Sequence, residues 1–235
     1  RLEHMMAKRL GFEAVEPIVG QTYTRKIDAQ AAAALAGVAA SAHKMANDVR
    51  LLAGLKEIEE PFETDQVGSS AMAYKRNPMR CERMTGLARY VISMLSSPFQ
   101  NAAEQWLERT LDDSANKRLT TPEGFLAVDG ILRLVVDVAR GLVVNENVIA
   151  ARVAAELPFM ATEEILMAAT IGHKDTAKET EGQAKEQTGD RLDLHEHIRR
   201  HSLAAAREVK EFGRPNDLLQ RLAADPAFAG VDLDK

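Results

Sequence analysis

Gly68-Ser69-Ser70-Ala71-Met72-Ala73-Tyr74-Lys75-Arg76-Asn77-Pro78 packs a glycine, two serine hydroxyls, an amide and two cations into eleven residues. Those types combine into acid–base chemistry. Glycine lets the backbone turn sharply, small hydroxyls stand where successive N–H groups converge, and Lys75 supplies positive charge that stabilises a deprotonated oxygen. A serine so placed can take a proton from a substrate. Serine is a poor base in water, so the role requires a closed, dry site with fixed donors, as loops that close over substrate provide. Gly68-Ser69-Ser70 alone would read as a surface linker; the lysine, asparagine and proline that follow make it more than that.

Charge gathers around the same stretch. Residues 75–118 hold eight basic groups (Lys75, Arg76, Arg80, Arg83, Arg89, Arg109, Lys117, Arg118) against five acidic ones, in a chain of net charge -5. A basic island in an acidic chain suits a small, multiply anionic ligand, because arginine forks grip carboxylate and phosphate oxygens in pairs. A solvated helix face with internal ion pairs is the plainer reading of the charge by itself. The acidic total disfavours nucleic acid or an anionic membrane as partner.

These groups need a scaffold, and the composition points to helix. Aromatic content is 5% and the long segments are built from Ala, Leu, Met, Glu, Lys and Arg. The fold class expected is all-α. Leu2, Met5, Met6 and Leu10 already have helical spacing with no cap before them, so the chain reads as a piece of a longer protein. Asp28 is expected to cap an Ala-rich helix from Ala29 to about Leu55, with Gly54 at its end. Glu57 to Val67 reads as loop. Asn77 before Pro78 predicts a helix toward Ser96, Phe99 to Glu108 a further one, and Thr121-Pro122 the start of an apolar helix through about Val144. Shorter helices are expected near Asn147–Glu156 and Thr162–Ile171. The charged stretch His173 to Asp190 reads as a solvated loop or insertion. Leu192 to Phe212 is again helical, and Arg214-Pro215-Asn216-Asp217 begins a last short helix.

The eleven-residue segment resembles the signature loop GSSxMPxKxNP of the fumarase/aspartase superfamily, with seven of its eight fixed identities present. The departure is Ala73, where the family usually has proline; alanine frees φ and restores an N–H, which bears on loop closure and on catalysis. Flanking text is similar to the animal-type adenylosuccinate lyase branch: Gly20-Gln21-Thr22-Tyr23-Thr24-Arg25-Lys26, Lys75 to Arg80, Gln105 to Arg118, and Glu156 to Glu163. The resemblance runs from about Leu2 to Leu222. It implies an N-terminally truncated central long-helix bundle domain over 1–145 carrying the loop 68–78, then part of a C-terminal helical domain over 146–235 with an insertion near 173–190.

The resemblance also implies roles. Ser69 matches the general base that removes the Cβ proton of a succinyl group, and Lys75 stabilises the resulting intermediate. Asn77 matches a second loop residue on the succinyl carboxylates, Gln21 a substrate-contacting glutamine, and Arg83, Arg109, Ser114 and Arg118 residues that hold the nucleotide portion and its phosphate. Ser114 and Arg118 lie four apart and would face the same way on a helix. Arg109 would join them if the Asp112-Asp113 turn folds back. The implied reaction is an anti β-elimination of fumarate from adenylosuccinate, giving AMP, and from the related succinylcarboxamide ribotide of purine synthesis. Its general-acid histidine would come from a segment preceding Arg1, so this stretch alone is expected to be inactive. A homotetramer with active sites shared between subunits is implied, with no cofactor. Another superfamily lyase, acting on argininosuccinate or fumarate, and a non-catalytic oligomer keeping the fold are the alternatives.

The remaining candidates read more plainly. His195, His197 and His201 place two histidines four apart on a helix, but no third ligand stands at metal spacing and Arg199 and Arg200 lie beside them, so a polar helix face is expected and no metal. Cys81, one turn into a helix, could have its thiol pKa lowered by the helix dipole. Trp106 reads as a buried anchor. A single cysteine excludes an internal disulfide framework and fits the cytosol. No apolar run approaches the roughly 20 residues needed to cross a bilayer.

Overall fold

The computed structural model describes residues 1–63, 72, 74–107, 109–179 and 191–233, with the side chains of 172–179 set aside. Helix makes up 72% of the structure, and the only strands among the described residues are a pair of two-residue pieces, so the chain is all-α as composition required. It divides into two units, Arg1–Asn145 and Glu146–Lys235.

In the first unit a short helix α1 (Leu2–Leu10) precedes α2 (Lys26–Gly54), α3 (Met79–Ser93), α4 (Ser96–Glu104) and α5 (Asp113–Arg140). Buried positions explain the bundle. They are Ala39, Ala42, Ala46 and Val49 on α2, and Cys81, Met84, Ala88 and Val91 on α3; α5 adds Val128, Ile131 and Val138, with Val135 packed alongside. All three series step by three, four and three, the spacing that keeps one apolar seam facing its partners in left-handed coiled packing. The seam of α2 is nearly all alanine, which lets its neighbours approach closely.

The ends of the helices depart from the sequence reading for identifiable reasons. Asp28 does not cap α2; it sits inside the first turn, where its carboxylate accepts from the Tyr23 hydroxyl at 2.8 Å and pairs with Lys117 at 3.1 Å. α4 starts at Ser96, with Pro98 in its first turn where a missing N–H costs nothing, and stops at Glu104. Trp106 is therefore no buried anchor but 72% exposed, on the extended segment after α4. α5 begins at Asp113, nine residues before the proline that was expected to open it, and carries Pro122 inside.

α5 also ends early, at Arg140. Val143–Val144 (β2) pairs antiparallel with Ile58–Glu59 (β1), part of the stretch expected to be loop, and Asn145 donates to the Glu57 and Lys56 carbonyls. Gly141 is needed there: a Cβ would stand 2.5 Å from Cβ of Pro61. This small ribbon ties the end of α5 to the chain leaving α2.

The second unit contains α6 (Glu146–Met160, with Pro158 inside), α7 (Thr162–Glu179), α8 (Arg191–Phe212), α9 (Leu218–Ala223) and a 3₁₀ turn at Pro226–Phe228. Ile165, Leu166 and Ala169 of α7, Leu194, Ile198 and Ala205 of α8, Leu218 and Leu222 of α9, and Phe228 form its core. The charged stretch read as loop from His173 continues α7 in helix to Glu179, and 180–190 lie outside the described residues. Asn216, two residues before α9, accepts from the first N–H of the helix, that of Leu218, at 3.0 Å. Among the described residues no helix is long and apolar enough to cross a membrane.

Candidate active site

Ser69 lies outside the described residues, as do Gly68, Ser70, Ala71 and Ala73. What the structure shows is how the two stems of that loop are held. Glu60 is 4% exposed and accepts from the backbone N–H groups of Arg80 at 2.9 Å and Cys81 at 3.0 Å. It thus caps α3 from outside, where the sequence reading gave that task to Asn77 before Pro78; a carboxylate at this end also meets the positive end of the helix dipole. Arg80 then clasps the incoming stem: it donates to the Pro61 carbonyl and pairs with Glu63 at 2.9 Å and Asp137 of α5 at 2.6 Å. Arg76 pairs with Glu59 at 3.1 Å and lies over the Phe62 ring. Both feet of the loop are therefore pinned to the same end of the bundle.

Replacing Glu60 with glutamine is expected to destabilise the protein by about 1–3 kcal/mol, because the amide turns an N–H₂ toward one of two buried N–H donors. A lower thermal midpoint with unchanged helix content by circular dichroism is the expected reading; no shift would mean Glu60 caps nothing. The same carboxylate acts on Cys81. Burial, reinforced by the neighbouring negative charge of Glu60, pushes that thiol up to about 12. The dipole effect expected from its place in the helix is overridden, and Cys81 is an inert core side chain.

The second part of the site forms where α4 gives way to α5. Arg25, Arg109, Asp113, Ser114, Lys117 and Arg118 line a cleft of about 330 Å³. The turn before α5 does fold back, the Ser114 N–H bonding to the Leu111 carbonyl at 3.1 Å, and this brings Arg109 to the same cleft as Ser114 and Arg118. Arg118 donates to the carbonyl of Ser114 at 2.6 Å and to its hydroxyl, as the spacing of four allows.

A buried network fixes this cleft. Arg25, the residue before α2, pairs with Asp113 at the start of α5 and more distantly with Asp28 at 3.7 Å. Its N–H donates to the side chain of Gln105 at 2.9 Å. Lys117 donates to the Tyr23 hydroxyl at 2.6 Å, and Arg25 and Lys117 both lie within 5 Å of the Tyr23 ring centre. Burial opposes the charge on Lys117, but the bonds to Tyr23 and Asp28 outweigh it and raise its pKa. Asn101 and Asn116 exchange two amide hydrogen bonds, at 3.0 and 2.9 Å, locking α4 to α5.

The charge ledger matters here. Arg25 and Lys117 are answered by Asp28 and Asp113, whereas Arg109 and Arg118 have no carboxylate partner among the described residues. Two uncompensated guanidinium groups beside a helix N-terminus are a site for a doubly charged oxyanion. Lys75, Asn77 and Arg83 do not line this cleft; Lys75 follows a turn in which its N–H bonds to the Met72 carbonyl at 3.0 Å, and Arg83 is exposed on α3. Gln21 is exposed on the segment before α2. Tyr23, Arg25, Asp28 and Asp113 were not singled out from the sequence as site residues. Their signal was the Tyr23-Thr24-Arg25 stretch and the spacing of four between Asp113 and Lys117.

Comparison with known proteins covers this whole arrangement. A family model described as Lyase matches residues 1–93. The adenylosuccinate lyase of Saccharomyces cerevisiae (strain ATCC 204508 / S288c) is 50% identical over 230 residues, and that of Schizosaccharomyces pombe (strain 972 / ATCC 24843) 48%. Each alignment takes in 98% of this chain and 45% of the relative, so the chain spans a little under half the length of the curated relatives it matches. Among solved structures, a fumarate lyase from Mesorhizobium sp. BNC1 superposes with a TM-score of 0.70 at 22% identity, over 97% of this chain and 45% of that one, which shows the fold.

Proposed function

Given that the chain belongs to the fumarase/aspartase superfamily and is homologous to adenylosuccinate lyases along 98% of its length, we propose that the protein it represents is a carbon–nitrogen lyase. It releases fumarate from adenylosuccinate, leaving AMP, and from the related succinylcarboxamide ribotide. The observation that carries the nucleotide substrate is the cleft, where Arg109 and Arg118 have no carboxylate partner among the described residues, beside the Ser114 hydroxyl.

In this reading Ser69 removes the Cβ proton of the succinyl group. Negative charge then builds on the adjacent carboxylate, and Lys75 and Asn77 supply the cation and amide that meet it. Arg83 and Gln21 complete the hold on substrate, the phosphate rests between Arg109, Ser114 and Arg118, and the departing nitrogen takes its proton from a histidine outside this chain. The sequence residues fall into a loop group and a cleft group, and a tetramer that builds each site from several subunits would bring such groups together. Large apolar side chains left exposed on the long helices, Leu51, Leu119 and Leu126 among them, support burial in an oligomer. In this reading the protein works in the cytosol and without a cofactor, the single cysteine fitting a reducing compartment.

The test uses the full-length protein. Fumarate release from adenylosuccinate is expected, with kcat/KM falling roughly 10- to 150-fold in Arg118→Ala through loss of a charged hydrogen bond to phosphate. The same variant should lose little against the phosphate-free succinylated nucleoside. Equal losses on both substrates would remove the phosphate role from Arg118. Turnover of argininosuccinate or fumarate in place of the nucleotide would favour another lyase of the superfamily.

A further inference from the structure

His197 and His201 stand one turn apart on α8, and the structure supplies what their spacing in sequence did not show. Asp225, in the turn after α9, receives both: His197 Nδ1 and His201 Nε2 each lie 2.7 Å from its Oδ2. The other carboxylate oxygen, Oδ1, accepts from the Ala227 N–H at 3.0 Å. Asp225 is thereby locked with one oxygen turned to the two rings. All three donor atoms lie within 4.8 Å of one another. The Asp225 side chain is 10% exposed while the rings of His197 and His201 keep 35% and 25%, so the group is anchored on the protein side and open to solvent on the other.

We propose that His197 Nδ1, His201 Nε2 and Asp225 Oδ2 bind one divalent transition-metal ion of borderline class, Zn²⁺ or Co²⁺, as a structural staple between α8 and the turn after α9. Two imidazoles four apart on a helix are a preorganised bidentate ligand, and a carboxylate from a separate element completes a facial set with room for water. Bonds of about 2.0–2.1 Å put neighbouring ligand atoms roughly 3.3 Å apart, so the ion needs the present contacts to open by only about 0.6 Å. On binding, the ion replaces the hydrogen bonds between the rings and Oδ2: each neutral ring offers it the lone pair of the nitrogen that faces Oδ2 and carries its single proton on the other nitrogen, any second proton passing to solvent. The bond from the Ala227 amide is the outer contact that holds a ligating carboxylate in orientation. Of the arginines on α8 and α9, Arg199 is paired with Glu196 and Arg221 with Asp217, both at 2.7 Å, and the charge of Arg200, next to His201, is met in part by Glu196. The site lies wholly within the second unit and is independent of the lyase reading.

The full-length protein, stripped with chelator and titrated with Co²⁺, should develop visible d–d absorption saturating at one ion per chain and bleached by Zn²⁺. His201→Gln and Asp225→Asn are each expected to weaken binding at least about tenfold, while His195→Ala, altering an exposed residue of the same helix, leaves it unchanged. A second measurement needs no variant. Zn²⁺ should slow carbethoxylation of His197 and His201, read by mass spectrometry, without protecting His195. Absence of a saturable one-to-one signal, affinity unaltered in both ligand variants, or equal labelling with and without Zn²⁺ would each show the cluster to be a hydrogen-bonded clamp only and overturn the proposal.

Discussion

Ser69→Ala in the full-length protein is expected to lower kcat by about 10²–10⁴-fold, the range a positioned general base contributes, while KM for adenylosuccinate changes little. The asymmetry follows from what the hydroxyl does. A general base at this place accepts a proton only as the transition state forms, so on the proposed function its loss removes transition-state stabilisation and leaves ground-state binding in place. Folding should survive, because the loop's feet are held by Glu60, Arg76 and Arg80. The sharper readout is proton exchange. In D₂O the wild-type protein, run in reverse from fumarate and AMP, is expected to incorporate deuterium at Cβ of the succinyl group, and the variant should not. Ser70→Ala is the companion: a collapse of kcat there with Ser69→Ala near wild type would move the base by one residue and sink the assignment.

Helices long enough to impose a period were legible from the sequence, and their ends were not. The seam of α2 could be read from its alanines because three-and-four spacing is a local property. Pro122 misled for a physical reason. Proline inside a helix costs about 3 kcal/mol by losing an N–H bond and crowding the carbonyl four residues back, so Thr121-Pro122 reads as a beginning. The turns before it are held by contacts that no local rule contains: Asp113 with Arg25, Lys117 with Asp28 and Tyr23, Asn116 with Asn101. Tertiary pairing outweighs the local penalty. Glu60 was illegible in the same way, since its partners at Arg80 and Cys81 are twenty and twenty-one residues away. The motif residues fared differently. Ser114, Arg118 and Arg109 were all named by a resemblance; a spacing of four supported the first two facing the same way, and Arg109 had no such local support. Cys81 shows the opposite failure, a local rule about helix dipoles overturned by burial that a linear reading cannot see.

Arg25→Met should destabilise the protein by about 3–5 kcal/mol, the cost of leaving one half of a buried ion pair without the other. Arg25 and Asp113 have side chains only 7% and 3% exposed, and Oδ1 of Asp113 has no hydrogen-bond donor among the described residues. The buried carboxylate therefore depends on the Arg25 guanidinium as its charge partner, helped by its place in the first turn of α5. Exchanging both members for apolar side chains of similar bulk removes the charge problem instead of halving it, so Arg25→Met with Asp113→Leu should recover much of the lost stability. Activity separates the two roles of this pair. The double variant should fold and still bind nucleotide weakly, because Arg25 also orders the Tyr23 ring against Lys117 at the wall of the cleft. Thermal unfolding of the single and double variants, beside KM for adenylosuccinate in each, reads both. A double variant as unstable as Arg25→Met would mean that packing by the arginine stem, and not the charge pair, holds α2 to α5. One that regained stability and wild-type KM together would remove Arg25 from the substrate site.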